Sequence, residues 1–174
     1  MSDGSTLTPA YDILKRAFAM YLDRDNYAYF YGAKGQVLTD AVMDALIAAE
    51  PEYFSKYNEA EMKRIRKFSK GKIGLDCSGF VGKCVGCMEW SGALWGHCYN
   101  KSTVLGCKAG SILYRPGHVG LDIGYGYAMD MPIEGLTITI HKNNAETPNV
   151  GGGDRKYIGG GEYRGYDYSM MTNF

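Results

Sequence analysis

The sequence predicts an α+β fold, and three observations predict it. Helical periodicity recurs in separate stretches of the first half, a further helix opens at Cys77, and alternation of period two sets in from Ser111 onward. At 174 residues the chain reads as one domain, 1–174, with room for a real core. Nineteen basic and nineteen acidic residues cancel, which argues against a general nucleic-acid binder. The N-terminus has no charged-then-apolar leader, and no apolar run is long enough to span a bilayer. The expectation is a soluble monomer made in the cytosol without a signal peptide and without a membrane partner. Five cysteines, an odd number, exclude a fully paired disulfide framework.

Taken in order, Met1 to Leu7 read as a disordered start. Thr8 is expected to cap a first helix with Pro9 at its first position, and Tyr11, Leu14, Ala17, Phe18, Tyr21 and Leu22 keep helical spacing. Asp23 to Asn26 ends it. Tyr27 to Gly35 is a short aromatic extended piece running into a glycine turn. Thr39 caps a second helix through Ala49, closed by Pro51, and a third runs from about Glu59 to Lys70. The basic face of that third helix, Lys63 to Lys70, reads as solvated surface rather than as contact with an anionic polymer.

The stretch Gly74-Leu75-Asp76-Cys77-Ser78-Gly79-Phe80-Val81 puts Cys77 in the first turn of a helix, with Asp76 as its N-cap. The unpaired N–H groups and positive dipole end there favour the thiolate, the attacking species in cysteine catalysis. A cysteine in that place is otherwise a small buried hydrophobe. Continuing through Phe80, Val81, Cys84 and Val85, the helix is expected to end near Met88 to Trp90. Ser91 to Gly110 reads as a loop-rich connection. Cys84-x-x-Cys87 with His97-Cys98 and Cys107 is a weak zinc signal, because no second pair of similar spacing follows. Cys84 is better placed as a core thiol, and no metal is expected.

Parity decides which side chains meet in the next hairpin. Val119, Leu121 and Ile123 share one face of a strand, and His118, Gly120 and Asp122 share the other. A three-residue Gly124-Tyr125-Gly126 loop pairs Ile123 with Tyr127, Leu121 with Met129 and Gly120 with Asp130, which sends the apolar residues of both strands to the core. That register also puts Asp130 diagonal to His118, across the space that Gly120 leaves. An Asp there holds an imidazole's tautomer and stabilises its cation, as in nucleophile–base–orienter triads. His141, on the polar face of an expected Leu136–His141 strand, is the rival third member. Asn143 to Gly153 reads as a polar loop, Tyr157-Ile158 and Glu162 to Tyr168 as a last strand, and the remaining tail as frayed.

Asp76-Cys77-Ser78-Gly79-Phe80, followed by Gly110-Ser111-Ile112-Leu113-Tyr114 and Gly117-His118-Val119-Gly120-Leu121-Asp122-Ile123-Gly124, resembles the NlpC family of cell-wall cysteine peptidases. The resemblance covers roughly Tyr27 to His141, and only its Cys and His blocks are specific. It implies a papain-like fold and hydrolysis of peptide bonds in peptidoglycan stems, often next to D-glutamate. It places the nucleophile on Cys77, the base on His118 and a third polar residue on Asp130, where the family more often has His. Tyr29-Phe30-Tyr31-Gly32-Ala33 resembles the family's Tyr-x-x-Gly-Gly piece, which implies that Tyr29 lines the site near the oxyanion position, beside Asp76 and Ser78. Two departures stand out: a helical insertion at about 36–72, and Ser111 in place of the usual Asp.

The expected chemistry is acyl transfer through a thioester, with no metal or organic cofactor. The expected partner is bacterial peptidoglycan, reached after lysis or by dedicated delivery, as by a phage endolysin or a secreted effector. Two alternatives stay open: an N-acetylmuramoyl-L-alanine amidase or protein-modifying toxin on the same scaffold, and an inactive wall-binding module.

Overall fold

The structure is a computed structural model that describes residues 7–145 and 156–172. The first half contains β1 (Thr8–Pro9), α1 (Tyr11–Leu22), β2 (Tyr27–Tyr29), β3 (Lys34–Val37), α2 (Asp40–Ala49), α3 (Pro51–Phe54), α4 (Glu59–Ser69), β4 (Ile73–Leu75) and α5 (Cys77–Val85). The second half contains α6 (Ser91–Gly96), β5 (Cys98–Ser102), β6 (Ile112–Arg115), β7 (His118–Gly124), β8 (Tyr127–Asp130), β9 (Thr139–Lys142), β10 (Gly159–Tyr163) and β11 (Tyr166–Asp167). All of the expected disordered start but Leu7, and most of the 143–153 loop, lie outside the described residues.

Alternation after Ser111 builds a six-stranded antiparallel sheet in the order β5-β10-β6-β7-β8-β9. Against it packs α5, with α1 on its other side, so that Phe80, Val81 and Cys84 share one core with Ile13, Ala17, Val119, Leu121 and Met129. This is an α+β protein. A helix buried on all sides must satisfy both of its ends. At the start of α5, Asp76 Oδ1 accepts from Gly79 N at 2.6 Å; at its end, Gly86 takes a left-handed φ of 75° and Arg16 donates to Cys84 O at 2.8 Å. An acidic cap at the positive end and a guanidinium at the negative end complement the helix dipole.

The segment between β3 and β4 forms a second, smaller core. Phe30, Leu38, Met43, Phe54 and Ile65 bury one another there. Helix α2 is capped by Thr39, whose side chain accepts from Val42 N, as expected. Helix α4 starts in a capping box between Asn58 and Glu61. Strands β2 and β4 pair in parallel and set Tyr29 beside Leu75, two residues before Cys77.

Several elements depart from the sequence reading. Thr8 and Pro9 do not open α1: they pair in parallel with Tyr166 and Asp167, because Thr8 N and Ala10 N donate to the carbonyls of Gly165 and Asp167. The left-handed Gly86 stops α5 at Val85, short of Met88. The stretch expected as loop from Ser91 holds α6 and β5. Through Thr172 the tail is docked, since Ala109 N donates to Thr172 O and Lys108 Nζ to Tyr168 O. Strand β9 begins at Thr139 rather than Leu136.

The hairpin keeps the expected Leu121–Met129 pairing but closes differently. Gly124 pairs with Tyr127 across a two-residue turn, Tyr125-Gly126, both at positive φ, and Ile123 is the extra residue of a bulge. Two turn residues plus a bulge keep the parity of a three-residue loop. Tyr127, next to the turn, is 37% exposed with its ring under the Lys142 ammonium at 4.1 Å, so it does not join the core.

Candidate active site

Each candidate side chain is held by its own element. Asp76 N donates to Ala33 O, fixing the entry to α5 against the Phe30–Ala33 turn. That approach is close: a Cβ on Gly79 would lie 2.9 Å from Ala33 O. Cys77 and Ser78 are buried in the first turn, and Cys77 N donates to no atom among the described residues. Lys34 Nζ clamps the cap, donating to Asp76 Oδ1 at 2.7 Å, to Oδ2 at 2.9 Å and to Ser78 Oγ. His118 opens β7 opposite Arg115, after the tight turn of Pro116 and Gly117.

The structure brings Cys77, His118 and Asp130 together. His118 Nε2 lies 2.8 Å from Asp130 Oδ2, and Cys77 is near enough to the ring to act on its protonation. Burial by itself disfavours the imidazolium. The charge and closeness of Cys77, with the hydrogen bond and charge of Asp130, outweigh it and raise the His118 pKa to about 9. Asp130 has no exposed surface, and burial alone would raise its pKa; the His118 hydrogen bond first, then the contact with His141 and the charges of both imidazoles, instead hold it well below the usual carboxylate range.

The two rivals for third place are both at this carboxylate. His141 Nε2 approaches Asp130 Oδ2 to 3.2 Å, within ion-pair distance but off the line of a hydrogen bond. Burial lowers its pKa and the contacts with Asp130 raise it, with a net rise. His141 thus adds positive charge on Asp130 and is not part of the His118–Cys77 contact.

Tyr157 is the residue that sequence reasoning missed. Its hydroxyl donates to Asp130 Oδ2 at 2.6 Å, and Thr139 donates to Oδ1 at 3.1 Å. The Tyr157 ring lies between the imidazoles, with centroids 5.8 Å from His118 and 6.3 Å from His141. A Cβ on Gly120 would sit 2.2 Å from the Tyr157 hydroxyl. The void that parity leaves at Gly120 is therefore filled by a phenol. That void was the available signal, but nothing local to Tyr157 said which chain segment would fill it.

Comparison with family models, with curated proteins and with solved structures finds no match. The site therefore stands on its own geometry.

Tyr29 sits beside Cys77 and is buried. Desolvation first, then the charges of Cys77, Tyr53, Glu134 and Asp76, push its pKa well up. Its hydroxyl is near that of Tyr53, which donates to Glu134 Oε2 at 2.9 Å. Tyr57 also donates to that oxygen, and Tyr31 N donates to Oε1 at 3.3 Å. Neither Glu134 nor its tyrosines were singled out in the sequence.

A groove passes the cysteine and the histidine. A cavity of about 380 Å³ is lined by Cys77, Asp76, Ser78, Lys34, Trp90 and Tyr114. Another of about 300 Å³ is lined by His118, Tyr29, Tyr53, Lys56 and Arg115, and the two share Tyr31 and Gly117. The cysteines of the zinc alternative do not assemble: all five are free, and no group of three or more His, Cys, Asp or Glu residues able to hold a metal occurs among the described residues. Burial pushes Cys98 and Cys107 up to about 12 and Cys84 higher, as for inert core thiols. No helix among the described residues is long and apolar enough to cross a membrane.

Proposed function

We propose that the protein is a papain-like cysteine peptidase of NlpC type that hydrolyses stem-peptide bonds of bacterial peptidoglycan, next to D-glutamate. The observation that carries this reading is the His118 ring, bonded to Asp130 and close enough to Cys77 for the thiol's charge to raise its pKa, with the two side chains lining adjoining cavities. A thiol on a helix start facing a strand-borne imidazole is the papain-like arrangement. Motif order along the chain agrees with the cell-wall family.

His118 holds the proton and Cys77 attacks the scissile carbonyl as thiolate. The Cys77 N–H, left without an acceptor among the described residues at the positive end of α5, stabilises the tetrahedral oxyanion, with Tyr29 as the second donor. His118 then protonates the leaving amine, and a water deprotonated by His118 cleaves the thioester. Asp130 keeps the ring oriented and its cation stable. No metal or organic cofactor takes part, and the enzyme works as a monomer. The helices α2 to α4 form an insertion that walls the groove on the His118 side.

The test is digestion of purified peptidoglycan followed by mass spectrometry of the fragments. A new stem-peptide amino terminus is expected, and Cys77→Ala is expected to lower turnover by about a thousandfold or more while unfolding at an unchanged temperature. Release of whole stems would make the enzyme an amidase. Undiminished turnover in Cys77→Ala would sink the cysteine mechanism.

A further inference from the structure

The groove does not end at the catalytic pair. A cavity of about 570 Å³ beside α4 shares Lys56 and Ile133 with the His118 cavity. Ile65, Phe68, Ile133 and Leu136 give it apolar walls. Its charged side chains divide unequally between those the fold has used and those it has not. Both acids are used: Glu61 accepts from Asn58 N at 2.9 Å in the capping box, and Glu134 accepts from Tyr31 N, Tyr53 and Tyr57. Neither cation makes an ion pair with an acid among the described residues. Lys56 Nζ lies 3.1 Å from the centre of the Tyr53 ring with no carboxylate within ion-pair distance among the described residues, and Arg64 makes no ion pair among them either. Arg66 of α4 pairs with Asp44 and Lys70, just after it, with Asp40, while Lys63 and Lys67 lie outside the cavity lining and make no ion pair among the described residues. Burial pulls the Lys56 pKa down against the Glu134 charge, so an incoming anion would favour its ammonium form.

Direction along the groove follows from the chemistry. The base that protonates the leaving amine must touch the leaving half of the substrate. Cys77 lines one cavity and His118 the other. The acyl half therefore lies over Cys77, Asp76 and Trp90, and the leaving half runs past His118 towards Lys56 and Arg64. Resting on the cysteine-peptidase reading above, we propose that Lys56 and Arg64 form a subsite for a carboxylate on the leaving half of the substrate. An ammonium and a guanidinium fork on apolar walls suit a carboxylate carried by a peptide backbone. The enzyme is thereby selective for stems that are acidic on the amine side of the cleaved bond.

The test compares two synthetic tetrapeptides, L-Ala-γ-D-Glu-L-Lys-D-Ala with a free terminal carboxylate and the same peptide as its carboxamide, as competitors of wall hydrolysis. In the wild type at low salt, the free acid is expected to inhibit about tenfold more strongly. Lys56→Gln/Arg64→Gln should abolish that preference without changing inhibition by the carboxamide. Lys63→Gln/Lys67→Gln, with the same loss of charge on the same helix, should retain it. Equal inhibition by the two peptides in the wild type overturns the subsite, as does a preference that survives in Lys56→Gln/Arg64→Gln or disappears in the control pair. A wild type that cleaves no wall preparation overturns the peptidase reading itself; one that cleaves walls without preferring the acid overturns the subsite alone.

Discussion

Asp130 and Glu134 are buried carboxylates four residues apart, both held by tyrosine hydroxyls, and they titrate in opposite directions. Asp130 is pulled below the usual carboxylate range and Glu134 is raised above it. Burial pushes both up, so burial does not explain the difference. Asp130 faces two imidazoles that become cations, while Glu134 meets two phenols, a backbone N–H and only the distant charge of Lys56. Neutral donors offset part of a desolvation penalty; a cation in contact reverses it. One carboxylate is arranged to act on a charge, and the other to fasten the α2–α4 segment to the sheet side.

The strongest way to break this contrast is to neutralise each acid without changing its shape. Asp130→Asn is expected to lower kcat/KM on wall fragments by about a hundredfold or more, since the amide neither stabilises the His118 cation nor fixes its tautomer. Glu134→Gln is expected to stay within about threefold, because no reacting group touches it. Steady-state kinetics on the two variants decides. Equal losses would mean that both carboxylates serve the fold alone, and full activity in Asp130→Asn would move the third role to His141 or remove it.

The pH dependence sharpens the same point. His118 is raised to about 9, so its protonated form, and the stability that goes with it, is fully present below about 6.5 and is lost as pH rises through about 9. The alkaline limb of the kcat/KM profile is expected near 9 in the wild type. In Asp130→Asn it should move to lower pH, because both the hydrogen bond and the charge that raise the imidazole are weakened. In Glu134→Gln it should not move. A limb that stays at 9 in Asp130→Asn would assign the rise to Cys77 alone.

Much of the Asp130 side was legible in the sequence, and little of the Glu134 side was. Cys77 and Asp76 announce themselves by a local rule, a small polar cap before an apolar helix, and the structure keeps that cap. His118 and Asp130 follow from strand parity, which survives because a bulge at Ile123 compensates for a shorter turn. Both inferences use residues that are close in sequence. Tyr157 reaches Asp130 across 27 positions, and Tyr53 and Tyr57 reach Glu134 across 81 and 77. No periodicity or spacing encodes contacts of that span. The same holds for Thr8 and Pro9, whose helix-opening pattern is overridden by a strand from the opposite end of the chain.

Substituting the tyrosines gives a smaller effect with the same logic. Tyr157→Phe removes a 2.6 Å donor from Asp130 and leaves its charge in place. A drop of about tenfold in kcat is expected, with KM little changed, as for one charge-assisted hydrogen bond lost from a positioning group. Tyr57→Phe removes a donor from Glu134 and is expected to change kcat by less than about twofold. Gly120→Ala should resemble Tyr157→Phe, since its methyl would occupy the place of the same hydroxyl. A Tyr157→Phe variant with wild-type kcat would reduce that phenol to packing.

The smallest effect is on stability, and its sign changes with pH. Glu134 is raised in the folded protein, so the stability linked to it is fully present below its unfolded pKa of about 4.3 and is lost as pH rises through the folded value. Glu134→Gln removes the ionised form. It should leave Tm unchanged or higher by a few degrees at pH 7, and unchanged or lower at pH 4, where the wild-type carboxyl is itself protonated. Asp130 has the opposite linkage. Its contribution is present above the unfolded pKa of about 3.9 and is lost as pH falls through the depressed folded value, so Asp130→Asn should lower Tm at pH 7 and lower it less towards pH 2. Thermal unfolding of both variants across that range tests whether two acids so close in the chain carry opposite linkages, and parallel Tm curves would show that charge on the partner is not what separates them.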